Sequence, residues 1–435
     1  MHTEAQTIDD EKNVGGMTAS YAQADGVQMK VPYSFFGSIY DEKEPEALRL
    51  AMKQDTLTMG PQVAKFQENF AAMCGVKHAY AVSSCTTAMH LCTQLMEIGE
   101  GDEVIVTPNT FIATSLVILK EKATPVYADI DPRTFNIDPN EIKKKITNKT
   151  KAIYVVHYGG QMCDMDAIMG LARHHGLHVL EDCAHAHGAE YQGRKAGSFG
   201  DAGCFSFHSL KNMNTGGEGG MVTTNRSEWH KPISMLRCMN LTDWDAHQKE
   251  WKFGSHRLAK KDKEYWIPSH FDVDDVFRHW GNNYRMNEIQ AAIGLAQLEK
   301  LEMLNEKRRQ IGRALTAGIK GIRGITPPYE APDRKHVYHL YTVCVEEEEL
   351  GASRDEFLRV LYYEEGIQGI LHYQPTYHFT GLKKLGLCVE RNHCPNAEKF
   401  FYKRELNLPM HPRLTERDIE TMVKAVHSAA SKVRR

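Results

Sequence analysis

The sequence predicts an α/β protein: a mostly parallel, partly mixed central sheet flanked by helices, followed by a smaller α/β domain at the C-terminus. Three observations predict it. Short apolar runs alternate with helix-length segments from about residue 76. Two further runs near 203–224 follow each other without a full helix between them. A proline-free stretch with helical periodicity, 286–319, then separates this region from a C-terminal part of mixed pattern.

The apolar runs at 78–84, 103–107, 125–129, 152–157 and 177–181 read as strands, with helices near 86–98, 111–121, 138–146 and 164–176. This alternation signals βαβ units, whose strands run parallel. The runs 203–207 and 219–224 lack a crossover helix, which makes the sheet mixed there. The 286–319 helix is read as the joint between a large domain, 31–300, and a small one, 301–435. Residues 1–30 are polar, with neither a basic start nor an apolar core, and read as a flexible tail rather than a signal peptide.

Composition excludes little but points consistently. The 435 residues are 42% hydrophobic and 25% charged, which suffices for a large core. A net charge of -3 gives no reason to expect nucleic acid or a membrane surface as partner. No apolar run reaches membrane-spanning length. Ten scattered cysteines suggest buried thiols in a reducing, cytoplasmic setting. Cys388 and His393-Cys394 do not have a zinc spacing, and no metal site is expected. All five tryptophans fall in 229–280, an excursion that breaks the strand–helix rhythm. It reads equally as a surface or dimer contact and as a substrate-facing lid.

In an open α/β sheet ligands bind at the carboxyl ends of the strands. Four features fall on that edge. Ser83-Ser84-Cys85-Thr86-Thr87 opens a helix, where free N–H groups attract an anion; alone it is an ordinary cap. Asp182 follows Glu181 at a strand end and can hold a cationic ring nitrogen, or equally cap a helix. Lys211 lies just past Phe205-Ser206-Phe207 and before Gly216-Gly217-Glu218-Gly219-Gly220; a partly desolvated lysine can form an imine, although most lysines are surface charges. Phe111, after Pro108-Asn109-Thr110, can lie flat on a cofactor ring or be an ordinary core aromatic.

At these residues the sequence resembles the DegT/DnrJ/StrS-type sugar aminotransferases, fold-type I enzymes that use pyridoxal phosphate (PLP). The resemblance runs from about Leu57 to the C-terminus. It rests on LTMGPQVAKF (57–66), GEGDEVIVTPNTFIAT (99–114), EDCAHAHGAEYQGRKAGSFGDAGCFSF (181–207), KNMNTGGEGG (211–220), GNNYRMNEIQAAIGLAQL (281–298) and LNLPMHPRLTERDI (406–419). It implies a Schiff base on Lys211, Asp182 on the pyridine nitrogen, and Phe111 against the ring. It places Ser206 and the backbone of Cys85 and Thr86 at the phosphate. Asn283 would reach the phosphate from a partner subunit, implying a homodimer with shared sites. Thr58, Glu218 and His372 match substrate-facing positions. Two departures stand out: Cys85 replaces a usual glycine and narrows the phosphate cup, and His185 replaces a usual glutamine. An imidazole can still bond the cofactor's phenolic oxygen but can also charge near neutral pH.

The implied reaction takes an amino group from an amino acid, L-glutamate first, to a keto-sugar, nucleotide-linked by resemblance. A cyclitol or another keto-polyol would need similar pockets. A dehydratase of the same family would have histidine in place of Lys211, and His208 keeps that reading open. A non-catalytic regulator is disfavoured by the intact lysine, aspartate and glycines. No G-x-G-x-x-G follows the first strand, which argues against a nicotinamide enzyme.

Overall fold

The computed structural model describes residues 27–241, 255–257, 264–266, 273–388 and 390–434. Strands β1 (His78–Val82), β2 (Glu103–Val106), β3 (Thr124–Tyr127), β4 (Thr150–Val156), β5 (His178–Asp182), β6 (Ala202–Ser206) and β7 (Gly220–Thr224) form one seven-stranded sheet. Their order is β1-β7-β6-β5-β4-β2-β3. β7 is antiparallel to both its neighbours, and the other pairs are parallel. The one reversal comes where the sequence lacks a crossover helix, because only an antiparallel strand can be reached by a short connection.

Alternate residues feed opposite faces of the sheet. Tyr80, Val82, Val104, Val106, Tyr154, Leu180, Cys204 and Val222 enter one apolar cluster. Ala79, Ala81, Ile105, Ile153, Val155, Val179, Phe205 and Met221 enter another. Both faces are therefore covered, as a parallel sheet requires. The covering helices include α1 (Pro61–Cys74), α2 (Cys85–Leu95), α3 (Ala113–Lys120) and α4 (Met165–His175). α1 opens with Pro61 in its first turn, where a missing N–H costs nothing, and stops at Gly75 with φ 68°. Asp164 caps α4 by accepting the Ala167 N–H at 3.2 Å.

α5 (Glu288–Ile319) starts where Asn287 accepts the Gln290 N–H at 2.9 Å. Its Ala291 and Leu301 join the second cluster, whereas Ile311, Leu315 and Ile319 join a third. That third cluster lies on a small antiparallel sheet of β8 (Ile325–Thr326), β9 (Tyr341–Val345) and β10 (Glu405–Leu408). α6 (Arg354–Tyr363) and α7 (Glu416–Val433) cover it through Phe357, Leu361, Met422 and Val426. One unbroken helix thus serves both units, with no discontinuity at 300/301. Val31, expected to open the large domain, instead pairs with Ile367 and is buried in the C-terminal cluster.

Small boundary shifts matter for chemistry. β5 ends on Asp182 rather than before it, and β6 ends on Ser206 rather than Phe207. α3 begins at Ala113, two residues later than expected. In the tryptophan-rich stretch, Trp229 is buried and Trp280 exposed. The readings of that stretch as lid or dimer contact fall, at Trp244 and Trp251, outside the described residues. Among the described residues no helix is long and apolar enough to cross a membrane.

Candidate active site

β2, β4, β5 and β6 run in one direction, and β1 joins them through two antiparallel steps across β7. Their carboxyl ends therefore share one edge, which carries Ser83-Ser84, Phe111, His157–Gly160, Asp182 and the loop to Lys211.

The anion cup forms at the start of α2. Ser84 Oγ accepts the Thr87 N–H at 3.2 Å, and Thr87 Oγ1 accepts the Ser84 N–H at 3.0 Å. The first intrahelical bond is made by Ala88 N–H, to Ser84 O at 3.0 Å. The amides of Cys85 and half-buried Thr86 thus remain among the unsatisfied donors of a helix start. Gly220 closes the cup from β7: a Cβ there would sit 2.3 Å from Ser84 C and 2.7 Å from Cys85 N, so no side chain fits. Ser206 is Gly220's partner in the β6–β7 register and is buried.

Asp182 is 5% exposed. Its Oδ2 accepts the Thr114 hydroxyl at 2.9 Å and its Oδ1 the Ala184 N–H at 3.1 Å. The Cys85 thiol lies 3.9 Å from Oδ1, so this side chain turns toward the aspartate. Burial pushes the carboxyl up, opposed by the Ala184 and Thr114 hydrogen bonds and by the charge of Lys211. Among the described residues no ion pair reaches it. A buried carboxylate without a cation is costly, and a cationic ligand would relieve that cost.

Lys211 sits on the loop after β6, its N–H bonded to His208 O at 2.9 Å. Gly37 straps this loop: its N–H donates to Ser209 O at 2.8 Å, and a Cβ there would collide with Leu210 O. Burial lowers the Lys211 amine to about 8, against the pull of Asp182. The neutral, nucleophilic amine is then a minor form at pH 7, about a tenth, but far more abundant than in an ordinary lysine. Four imidazoles surround it. Burial, with the Lys211 charge second, lowers His187 to about 3 and His372 to about 4. Burial above all holds His185 and His339 well below the usual histidine range. Of the two states open to His185 near neutral pH, burial favours the neutral one.

The C-terminal unit supplies the far wall. His372 donates its N–H to Glu405 Oε1 at 2.6 Å and its carbonyl accepts the Tyr158 hydroxyl at 2.8 Å. Its Nδ1 is buried with no partner among the described residues. Phe111 is 60% exposed and meets the Tyr373 ring edge-on at 6.3 Å. Three expected residues are exposed and make no hydrogen bond or ion pair with Asp182, Lys211 or these imidazoles among the described residues. Thr58 is exposed, next to Leu57, whose carbonyl accepts the first α5 amide at 3.1 Å. Glu218 is exposed, 3.9 Å from His208 Nε2. Asn283 is exposed, while the following Tyr284 carbonyl accepts the Ser83 N–H of the anion cup at 2.8 Å. His208 accepts the Leu210 N–H on Nδ1 at 3.2 Å and faces Glu218, so it does not stand in for the lysine.

Sequence reasoning missed Thr114, Asn212, His339 and Tyr373. Two had a signal: Thr114 lies one helical turn after Phe111, and Tyr373 is adjacent to His372. His157, Glu181 and Cys183 also gather three potential metal ligands. The His157 Nδ1 accepts the Cys163 N–H at 3.1 Å, so its Nε2 donates to Glu181 at 3.1 Å. Glu181 further accepts the amides of Gly197, Phe199 and Gly200, which makes this cluster a structural knot.

The DegT/DnrJ/EryC1/StrS aminotransferase family model matches residues 38–427. The chain belongs to this family. It is 37% identical over 401 residues to the spore coat polysaccharide biosynthesis protein SpsC of Bacillus subtilis, covering 91% of this chain and 96% of that one. It is 38% identical over 370 residues to the GDP-perosamine synthase of Caulobacter vibrioides, covering 85% and 90%. Among solved structures, Helicobacter pylori PseC, an aminotransferase involved in the biosynthesis of pseudoaminic acid, superposes with a TM-score of 0.79 at 29% identity, over 92% of this chain and 99% of that one. This member of the family is thus an aminotransferase with the fold-type I architecture.

Proposed function

We propose that this aminotransferase uses PLP to move an amino group from an amino acid, L-glutamate first, to the carbonyl of a nucleotide-linked keto-sugar. The observation that carries the reading is the buried Asp182, without an ion-pair partner among the described residues, on the same edge as a lysine lowered to about 8. The donor set suits the cofactor. Asp182 would hold a protonated pyridine nitrogen, the free amides of Cys85 and Thr86 with Ser206 would hold the phosphate, and Lys211 would hold the aldehyde carbon. When bound, PLP supplies an electron sink for carbanion chemistry.

The chain's own residues do the rest. Thr114 and the Ala184 amide fix the Asp182 carboxylate where the ring nitrogen would be. The freed Lys211 amine removes the proton from the donor's α-carbon and returns it on the far side of the transfer, a task suited to an amine near neutral pKa. Phe111 would press on the ring, and Thr58, Glu218 and His372 would face the substrate. The keto-sugar rests on the relatives, two of which are named for sugar products. A homodimer suits exposed Asn283 and the nearby exposed Phe277 and Trp280. Ten unbridged cysteines suit a cytoplasmic setting.

The test is Lys211→Ala. The visible absorbance of the bound cofactor and the glutamate-dependent transfer should both vanish. A surviving band would refute the lysine assignment.

A further inference from the structure

The site holds a hydroxyl whose proton direction the surrounding hydrogen bonds dictate. The Gly159 N–H donates to His185 Nδ1 at 3.4 Å. A backbone amide can only donate, so Nδ1 carries the lone pair and, in the neutral ring, Nε2 carries the proton. Charging the ring would set Nδ1–H against that amide. The tautomer of the neighbouring ring follows in the same way. Asn212 Nδ2 donates to Asn305 Oδ1 at 3.1 Å and to Val337 O at 3.0 Å, so its Oδ1 is the acceptor. His339 Nδ1, 3.2 Å from that oxygen, must carry a proton. The two rings stack at 4.2 Å and 29°.

His185 Nε2 is 3.3 Å from the Tyr373 hydroxyl. Since Nε2 donates, the phenol oxygen accepts, and the phenol's own proton is free to point elsewhere. Among the described residues no acceptor for it is found. The Tyr373 ring is held on two sides, 18° from parallel to His185 at 6.0 Å and edge-on to Phe111 at 6.3 Å. It comes from the C-terminal unit, beside His372 and its unpartnered Nδ1. Burial pushes the phenol well above its ordinary value, so it stays a donor across the working pH range.

We propose that Tyr373, aimed by the locked His185 tautomer, is a catalytic residue that donates a hydrogen bond to the carbonyl oxygen of the keto substrate. The phenol keeps its proton in this step; as the amine's lone pair forms the C–N bond, the carbonyl π bond breaks and its electron pair moves to oxygen, where the phenol's hydrogen bond stabilises the growing negative charge. His339 and Asn212 act through His185 and are positioning residues. The inference rests on the aminotransferase reading above but names a contact that reading does not contain.

Tyr373→Phe keeps the ring and removes only the hydroxyl. It should lower the single-turnover rate with the keto acceptor by about 10²-fold, with the cofactor dissociation constant unchanged within a factor of about 2. His185→Leu should lower the same rate, His185→Gln should lower it less because an N–H donor remains, and adding Tyr373→Phe to His185→Leu should cost little more. Wild-type rates in Tyr373→Phe, or fully additive losses, would overturn the proposal. A second readout needs no cofactor: nitrogen-15 resonances of His185 in the apo protein should report an Nε2–H tautomer at neutral pH, and an Nδ1–H or charged ring would overturn it. If the PLP reading itself failed, wild-type protein would develop no visible cofactor band, a result separable from either outcome.

Discussion

Glu181 and Asp182 are neighbours on β5, both buried, and they face opposite sides of the sheet. Glu181 points with Val179 into the second cluster; Asp182 points with Leu180 into the first. Glu181 accepts three amides, from Gly197 at 3.0 Å and from Phe199 and Gly200 at 2.8 Å, plus the His157 imidazole. It ties down the turn that precedes β6. Asp182 accepts one amide and one hydroxyl, and has Lys211's charge nearby rather than in contact. A saturated carboxylate is a structural device. An under-saturated one beside a nucleophilic amine is poised for a ligand.

The sharpest way to break this contrast is to remove each carboxylate. Asp182→Ala should cost about 10³-fold in transfer rate, while the cofactor-free protein keeps or gains thermal stability because an uncompensated buried acid is gone. Glu181→Ala should do the reverse. It leaves three amides without an acceptor and should cost about 3–5 kcal/mol of stability, with the folded fraction retaining cofactor binding. Urea unfolding of both apo variants, paired with cofactor titration, decides. Equal stability losses in the two would erase the distinction.

A smaller effect concerns the buried imidazoles. His187 and His336 are lowered to about 3 and His372 to about 4, and His185 and His339 are also well below the ordinary range. Above the unfolded value of about 6.5 these groups are neutral in both states, and their contribution is intact. As pH falls below that value only the unfolded chain takes the protons, so stability is lost progressively toward the folded values of about 3–4. The loss has an upper limit of about 1.4 kcal/mol per pH unit for each imidazole. Unfolding midpoints should therefore fall between about pH 7 and 5, before most carboxylates titrate; flat midpoints there would count against buried neutral histidines. The smallest effect expected is that of Cys85→Gly. Its thiol only brushes Asp182 at 3.9 Å, so cofactor affinity should shift by less than about 10-fold.

The legible part of the site was the part written in consecutive residues. Asp182, Ser206, Cys85 and Thr86 each lie at a strand end or helix start, Lys211 lies on the loop just past β6, and a strand–helix rhythm puts such ends and loops on one edge. The residues that were not legible reach the site from far along the chain. Tyr373 touches His185 across 188 positions, and His339 meets Asn212 across 127. Neither contact leaves a periodic or local trace. The charge of His185 stayed open in the sequence for the same reason, since burial and the Gly159 amide are tertiary facts.

By itself the sequence determined the layered α/β architecture, the family and the edge that bears the lysine, because alternating apolar runs and local motifs encode backbone direction directly. Only the tertiary structure decided which of two adjacent carboxylates is free, where α5 hands over from one core to the next, and which nitrogen of His185 carries its proton. Those depend on desolvation and on donors brought from distant segments, and neither is a property of any stretch of sequence read alone.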